Sequence, residues 1–116
     1  MTTEQPSDAP GPTVVENTDE HRFEIHVGGD LAGFATYELK DGDAGPGTVV
    51  AILHTEIGES FAGQGLAKEL AVQVLDGLRA DGRQLLPYCP FFTKFVQKNA
   101  EYADLVPAAR HEQFGL

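Results

Sequence analysis

Three short stretches of this chain carry residues whose types and spacing could do chemistry. Cys89 stands directly before Pro90, and proline favours the first position of a helix, so the thiol is expected at a helix N-terminus. There the positive end of the helix dipole favours thiolate, which makes Cys89 a nucleophile or a group that steers another thiol. The plainer role for a single cysteine is a small buried hydrophobe. In His54-Thr55-Glu56, strand alternation puts His54 and Glu56 on one face and Thr55 on the other. Either His54 or Glu56 could act as a general base, directly or through water, or His54 could be a hydrogen-bonded structural residue. Tyr88 and Tyr102 are possible proton donors, with core packing as the competing role.

The third stretch is made of backbone. An apolar run, Val49-Val50-Ala51-Ile52-Leu53, leads through His54-Thr55-Glu56-Ile57 into a polar loop. Gly63-Gln64-Gly65-Leu66-Ala67 then opens an amphipathic segment. A strand, a turn and a glycine-rich helix start gather unpaired N–H groups at a positive helix end, which suits an anion and above all a phosphate. Lys68, in the first turn after the glycines, could add charge there, with a simply solvated helix lysine as the competing role. Two phosphate motifs are excluded. Gly58 and Gly63 have P-loop spacing, but Gln64-Gly65 follows where Lys and Ser or Thr are needed. A dinucleotide fingerprint needs glycine at position 68, which is Lys68.

The elements that must position these groups can be read from periodicity. Residues 1–12 are rich in Pro, Ser, Thr, Gly and acid and read as a disordered tail. Val14-Val15-Glu16-Asn17 is a possible edge strand. Phe23, Ile25 and Val27 alternate with Glu24 and His26, Gly28-Gly29-Asp30 is a hairpin turn, and residues 31–39 return. Residues 41–47 read as a loop and 48–56 as a central strand, giving an antiparallel meander. From Gly63 to Ala80 the apolar spacing becomes helical, with Leu66, Leu70, Val74 and Leu78 on one stripe and Lys68, Glu69 and Gln73 opposite. Asp81-Gly82 stops that helix, Gln84-Leu85-Leu86 is a short parallel strand, and Pro90 starts a second helix ending near Asn99. Phe91, Phe92 and Phe95 read as core and cleft wall. Residues 101–106 form a last turn, and 107–116 read as a loose tail. The expected architecture is α+β, with one domain over residues 13–106.

With 116 residues there is room for a single modest core. A net charge of −10 argues against non-specific nucleic-acid binding, yet it tolerates a cationic amine. No apolar run is long enough to span a membrane, and the N-terminus lacks the pattern of a secretory signal. One cysteine cannot form an internal disulfide, which fits the cytoplasm. His21, His26 and His111 have no ligand-like spacing, so no metal is expected.

The glycine segment resembles motif A of the GNAT superfamily of N-acetyltransferases, Gln/Arg-x-x-Gly-x-Gly/Ala. Gly65 and Ala67 stand at its last two fixed positions, and Ala62 stands where Gln or Arg is usual. That departure removes a side chain but leaves the backbone donors. Arg22-Phe23-Glu24, His54-Thr55-Glu56, Gly63-Gln64-Gly65, Pro87-Tyr88-Cys89-Pro90-Phe91 and residues 101–106 also occur in the order of the minimal single-domain branch, which carries a Cys-Pro-Phe segment. Ala100 replaces the proline usual before the last of them. The resemblance implies a GNAT-like mixed, mainly antiparallel sheet and acetyl-CoA as cofactor. It places Ile57, Gly63, Gln64, Gly65, Leu66, Ala67, Lys68, Cys89 and Asn99 against the coenzyme. Cys89, Glu56 and His54 are the catalytic candidates, acting on an unidentified amine that is a small amine, a peptide or a protein lysine. A non-catalytic acyl-CoA-binding module and a thiol sensor at Cys89 are the rival readings. Oligomeric state is open.

Overall fold

In the computed structural model, which describes residues 11–42 and 45–116, five strands form one sheet in chain order. They are β1 (Thr13–Asn17), β2 (Arg22–Val27), β3 (Asp30–Gly42), β4 (Gly45–Ile57) and β5 (Gln84–Pro87). The first four pair antiparallel and β5 runs parallel to β4, so the sheet is mixed and mainly antiparallel, as expected. The parallel pair follows from the crossover through α1 (Leu66–Asp81), and α2 (Pro90–Lys98) follows β5. The hairpin between β2 and β3 uses Gly28 and Gly29 at φ 58° and 88°, the left-handed pair its turn requires.

Alternation sets two faces. Phe23, Ile25, Ala35, Tyr37, Val50 and Ile52 are buried on the α1 side, and Leu66, Leu70, Ala71, Val74, Leu75 and Leu78 meet them from the helix. Each fully buried Leu or Val of that stripe contributes about 1.5–3 kcal/mol of burial. Gly82, at φ 71°, ends α1 and donates its N–H to the carbonyls of Arg79 and Leu78.

Several expectations are corrected. The loop expected over residues 41–47 is mostly strand, because β3 runs to Gly42 and β4 starts at Gly45; residues 43–44 between them lie outside the described residues. The helix begins at Leu66 rather than Gly63, since positive φ at Gly63 and Gly65 keeps both out of it. Gln73, on the polar side of α1 as expected, is half-buried: it accepts from Val14 N–H at 3.2 Å and donates to Pro12 O at 3.0 Å, clamping β1 to α1. Of the tail expected over 1–12, residues 1–10 lie outside the described residues.

The segment read as a loose C-terminal tail is folded onto the domain. Residues 107–116 run through two short 3-10 turns and bury Phe114, with Gln97 donating to its carbonyl at 2.8 Å. Phe114 meets Tyr88 edge-on, with ring centroids 5.3 Å apart. A lone aromatic among polar residues gave the sequence no periodic signal, but the sheet face away from α1 needed a cover there.

Candidate functional site

β4 and β5 pair only from Val49–Gln84 to Ile52–Pro87. Beyond Ile52, β4 continues through Leu53–Ile57 beside β3 alone, while the chain after β5 turns into α2. Leu53 is an extra residue at this point: Thr36 pairs with His54 and Tyr37 with Ile52, so β4 bulges as it loses its neighbour. The last link across the gap is Cys89 N–H donating to Ile52 O at 2.9 Å. Past it, the β5 side of β4 is an open backbone edge inside the domain.

Cys89 is the residue before α2, as expected, and its thiol is buried at 3% exposure. Its Sγ lies 3.2 Å from Thr55 Oγ1 on the α1 side of β4. Thr93 Oγ1 donates to the carbonyls of Pro87 and Cys89, fixing the turn into the helix. His54 and Glu56 point to the opposite face, where their cross-strand partners are Thr36 and Phe34. They are exposed and bonded to each other, His54 Nε2 to Glu56 Oε2 at 2.8 Å. The strand therefore separates the thiol from the acid–base pair. Tyr88 is partly exposed beside Cys89, with its hydroxyl accepting from Arg110 at 2.6 Å. Tyr102 is drawn away from the gap, donating to Asp76 at 2.9 Å.

Next to Glu56 on that outer face, Phe34 pairs with Glu24 on β2, the one buried acidic side chain among the described residues. Glu24 accepts from Asn17 at 3.0 Å, Arg22 at 2.7 Å and His26 at 3.0 Å. These bonds, against the cost of burial, hold its carboxyl down at about 2. Arg22 in turn lies 4.8 Å above the Phe34 ring.

After β4, a 3-10 turn (Glu59–Phe61) leads into residues 62–65 and α1. Gly63 and Gly65 sit at φ 82° and 73°, with open space where a Cβ would project. Among the described residues, none of the N–H groups of Gly63, Gln64, Gly65, Leu66, Ala67 and Lys68 has a protein acceptor; the first inward bond is Glu69 N–H to Gly65 O. No side chain caps this helix start. Between the first turn of α1 and α2 lies a cleft of about 470 Å³ lined by Lys68, Phe91, Lys94, Phe95, Lys98 and Asn99. Asn99 also closes α2, donating from its amide to Phe95 O at 2.8 Å. A second cleft, of about 540 Å³, lies on the other face of the sheet, with Val49, Leu86, Tyr88 and Arg110 among its walls.

Thus Lys68 and Asn99 line one cleft, and Cys89 faces the gap, but His54 and Glu56 are not brought to Cys89. Thr55, Lys94, Lys98 and Gly33 carry weight that sequence reasoning missed. Gly33 has a readable reason only in three dimensions: a Cβ there would lie 2.4 Å from Glu56 O, so a side chain would push β3 off the end of β4. The i, i+4 spacing of Lys94 and Lys98 was visible and could have placed both on one face of α2.

The family described as GCN5-related N-acetyl-transferase matches residues 22–105, and the chain belongs to that family. No curated protein matches the chain. Among solved structures, it is similar to a GCN5-like candidate N-acetyltransferase from Staphylococcus aureus determined by solution NMR. The two share 22% identity and superpose with a TM-score of 0.59 over 82% of this chain and 87% of that one, which shows a common fold. No helix among the described residues is long and apolar enough to cross a membrane.

Proposed function

We propose that this protein is an acetyl-CoA-dependent N-acetyltransferase, with the coenzyme's pyrophosphate on the amides of residues 63–68 and its thioester between β4 and β5. The observation that carries this reading is the run of N–H groups without acceptors at the start of α1, directly after a strand with an open backbone edge. The pantetheine arm has amides of its own and pairs with the edge of β4 up to Ile57, much as an added strand would. The family's activity supports the acyl donor, and the fit of these groups to a diphosphate supports its binding mode.

Transfer is direct in this reading. The acceptor enters from the face carrying His54, Glu56 and Tyr88, and its amine attacks the thioester carbonyl. The His54–Glu56 pair takes the proton that the amine must lose, while the C–S bond breaks and the departing CoA thiolate takes a proton from solvent, leaving the amide and free CoA. A backbone N–H near the end of β4 serves the oxyanion. Cys89 is buried and bonded to Thr55, so it steers the donor sulfur rather than accepting the acetyl group. The acceptor is an amine whose size stays open: small amine, peptide and protein lysine all reach an exposed face. A single unpaired thiol fits a cytoplasmic setting, and the Cys-Pro-Phe segment fits the minimal branch of the family.

CoA release from acetyl-CoA with a panel of amines tests the reading; turnover supports it. Tight CoA binding without turnover would replace it with the acyl-CoA-binding module. The mutual pairing of His54 with Glu56 and of Cys89 with Thr55 is the observation favouring that second reading.

A further inference from the structure

Lysine is used sparingly here, and its placement is uneven. The chain has four lysines in a sequence of net charge −10, and three of them, Lys68, Lys94 and Lys98, line the cleft between α1 and α2 described above. Among the described residues, Lys40, Arg22, Arg79 and Arg83 are ion-paired with acids, and Arg110 is bonded to Gln113 and Tyr88; the three cleft lysines have no ion pair. With eighteen acids to eight basic residues, pairing them would have been easy. Lys68 is also in the wrong part of its helix, since a cation in the first turn opposes the dipole. The neighbouring Glu69 makes no ion pair with it, its carboxylate accepting instead from Gln73. Three like charges without counter-charges, beside a helix start with free amides, call for a bound polyanion.

Two of the three stand apart from the turn that would hold the pyrophosphate. Lys68 belongs to the amide turn itself, whereas Lys94 and Lys98 sit on α2, one turn apart, flanking Phe91 and Phe95. Those rings lie 6.3 Å apart and nearly parallel, and Phe91 is partly exposed, giving the cleft an apolar wall beside its ammonium groups. An aromatic wall with two cations suits a purine nucleotide carrying a phosphate of its own. We infer that Lys94 and Lys98 bind the 3′-phosphate of the coenzyme, so that the protein selects CoA thioesters over dephospho-CoA thioesters and over pantetheine carried without a nucleotide. This rests on the coenzyme reading above and deepens it.

The test is calorimetry with acetyl-CoA and with 3′-dephospho-acetyl-CoA, on the full chain and on the Lys94→Gln/Lys98→Gln variant. Both positions are exposed, and circular dichroism with a thermal melt checks that the variant is folded. The full chain should prefer acetyl-CoA by about tenfold or more, as expected for charge-assisted bonds to one phosphate. In the variant the preference should collapse, with affinity for the dephospho form unchanged. Equal affinity of the full chain for both ligands, or a variant weakened equally toward both, overturns this inference and leaves the coenzyme reading standing. Binding of neither ligand overturns both.

Discussion

Glu24 shows what a single side chain contributes to the sheet that carries the site. Its carboxyl is held at about 2 rather than the ordinary 4.5 by bonds from Asn17, Arg22 and His26. A carboxylate whose value falls on folding stabilises the fold above the unfolded value, and that contribution is lost as pH drops from about 4.5 toward 2. Arg22 and His26 keep part of their surfaces in water, which screens the pairs, so Glu24→Gln should cost about 1–2 kcal/mol at neutral pH. Urea melts at pH 7 and pH 3 check this: the gap between the two proteins should shrink at the lower pH. For catalysis, Glu56→Gln should lower kcat/KM about 100-fold with coenzyme affinity intact, because only proton transfer is touched. Cys89→Ala should likewise bind CoA and lose turnover; unchanged turnover would remove the thiol from the reaction. Mass spectrometry of the protein mixed with acetyl-CoA alone should find no acetyl adduct on Cys89.

At the scale of elements, the glycine turn makes the sharpest demand. Gly65 has room for a side chain but sits at φ 73°, so Gly65→Ala should fold with a loss of about 1 kcal/mol. Gly65→Glu should abolish CoA binding while leaving the melt cooperative, since its carboxylate would lie against the proposed pyrophosphate site; retained affinity would sink the proposal. The turn, α1 and the parallel crossover were legible because each rests on local signals, positive-φ glycine and helical spacing. The partition of Cys89 from His54 and Glu56 was half legible. Alternation put Thr55 on the other face, but only the register to Ala35 and the contact with α2 show that this is the thiol's face. The lysine cleft needed two helices from different parts of the chain, and Gly33 needed the distance to Glu56 O.

Over the whole molecule, the two faces of the sheet are covered by different parts of the chain, α1 on one and residues 107–116 on the other near β5. Phe114 is 5% exposed, so Phe114→Ala should cost about 3 kcal/mol and lower the melting temperature of the entire domain, not of a tail. Calorimetric melting with a single transition checks it. The bulge at Leu53 has a consequence of its own at this scale. Deleting Leu53 would leave Ile52, His54, Thr55 and Glu56 on their present sides and restore regular pairing with β3. What would vanish is surplus contour length, and with it the reason for two parallel neighbours to diverge. Such a shortened chain should melt normally and ignore the coenzyme, its aperture closed by the loss of one exposed leucine.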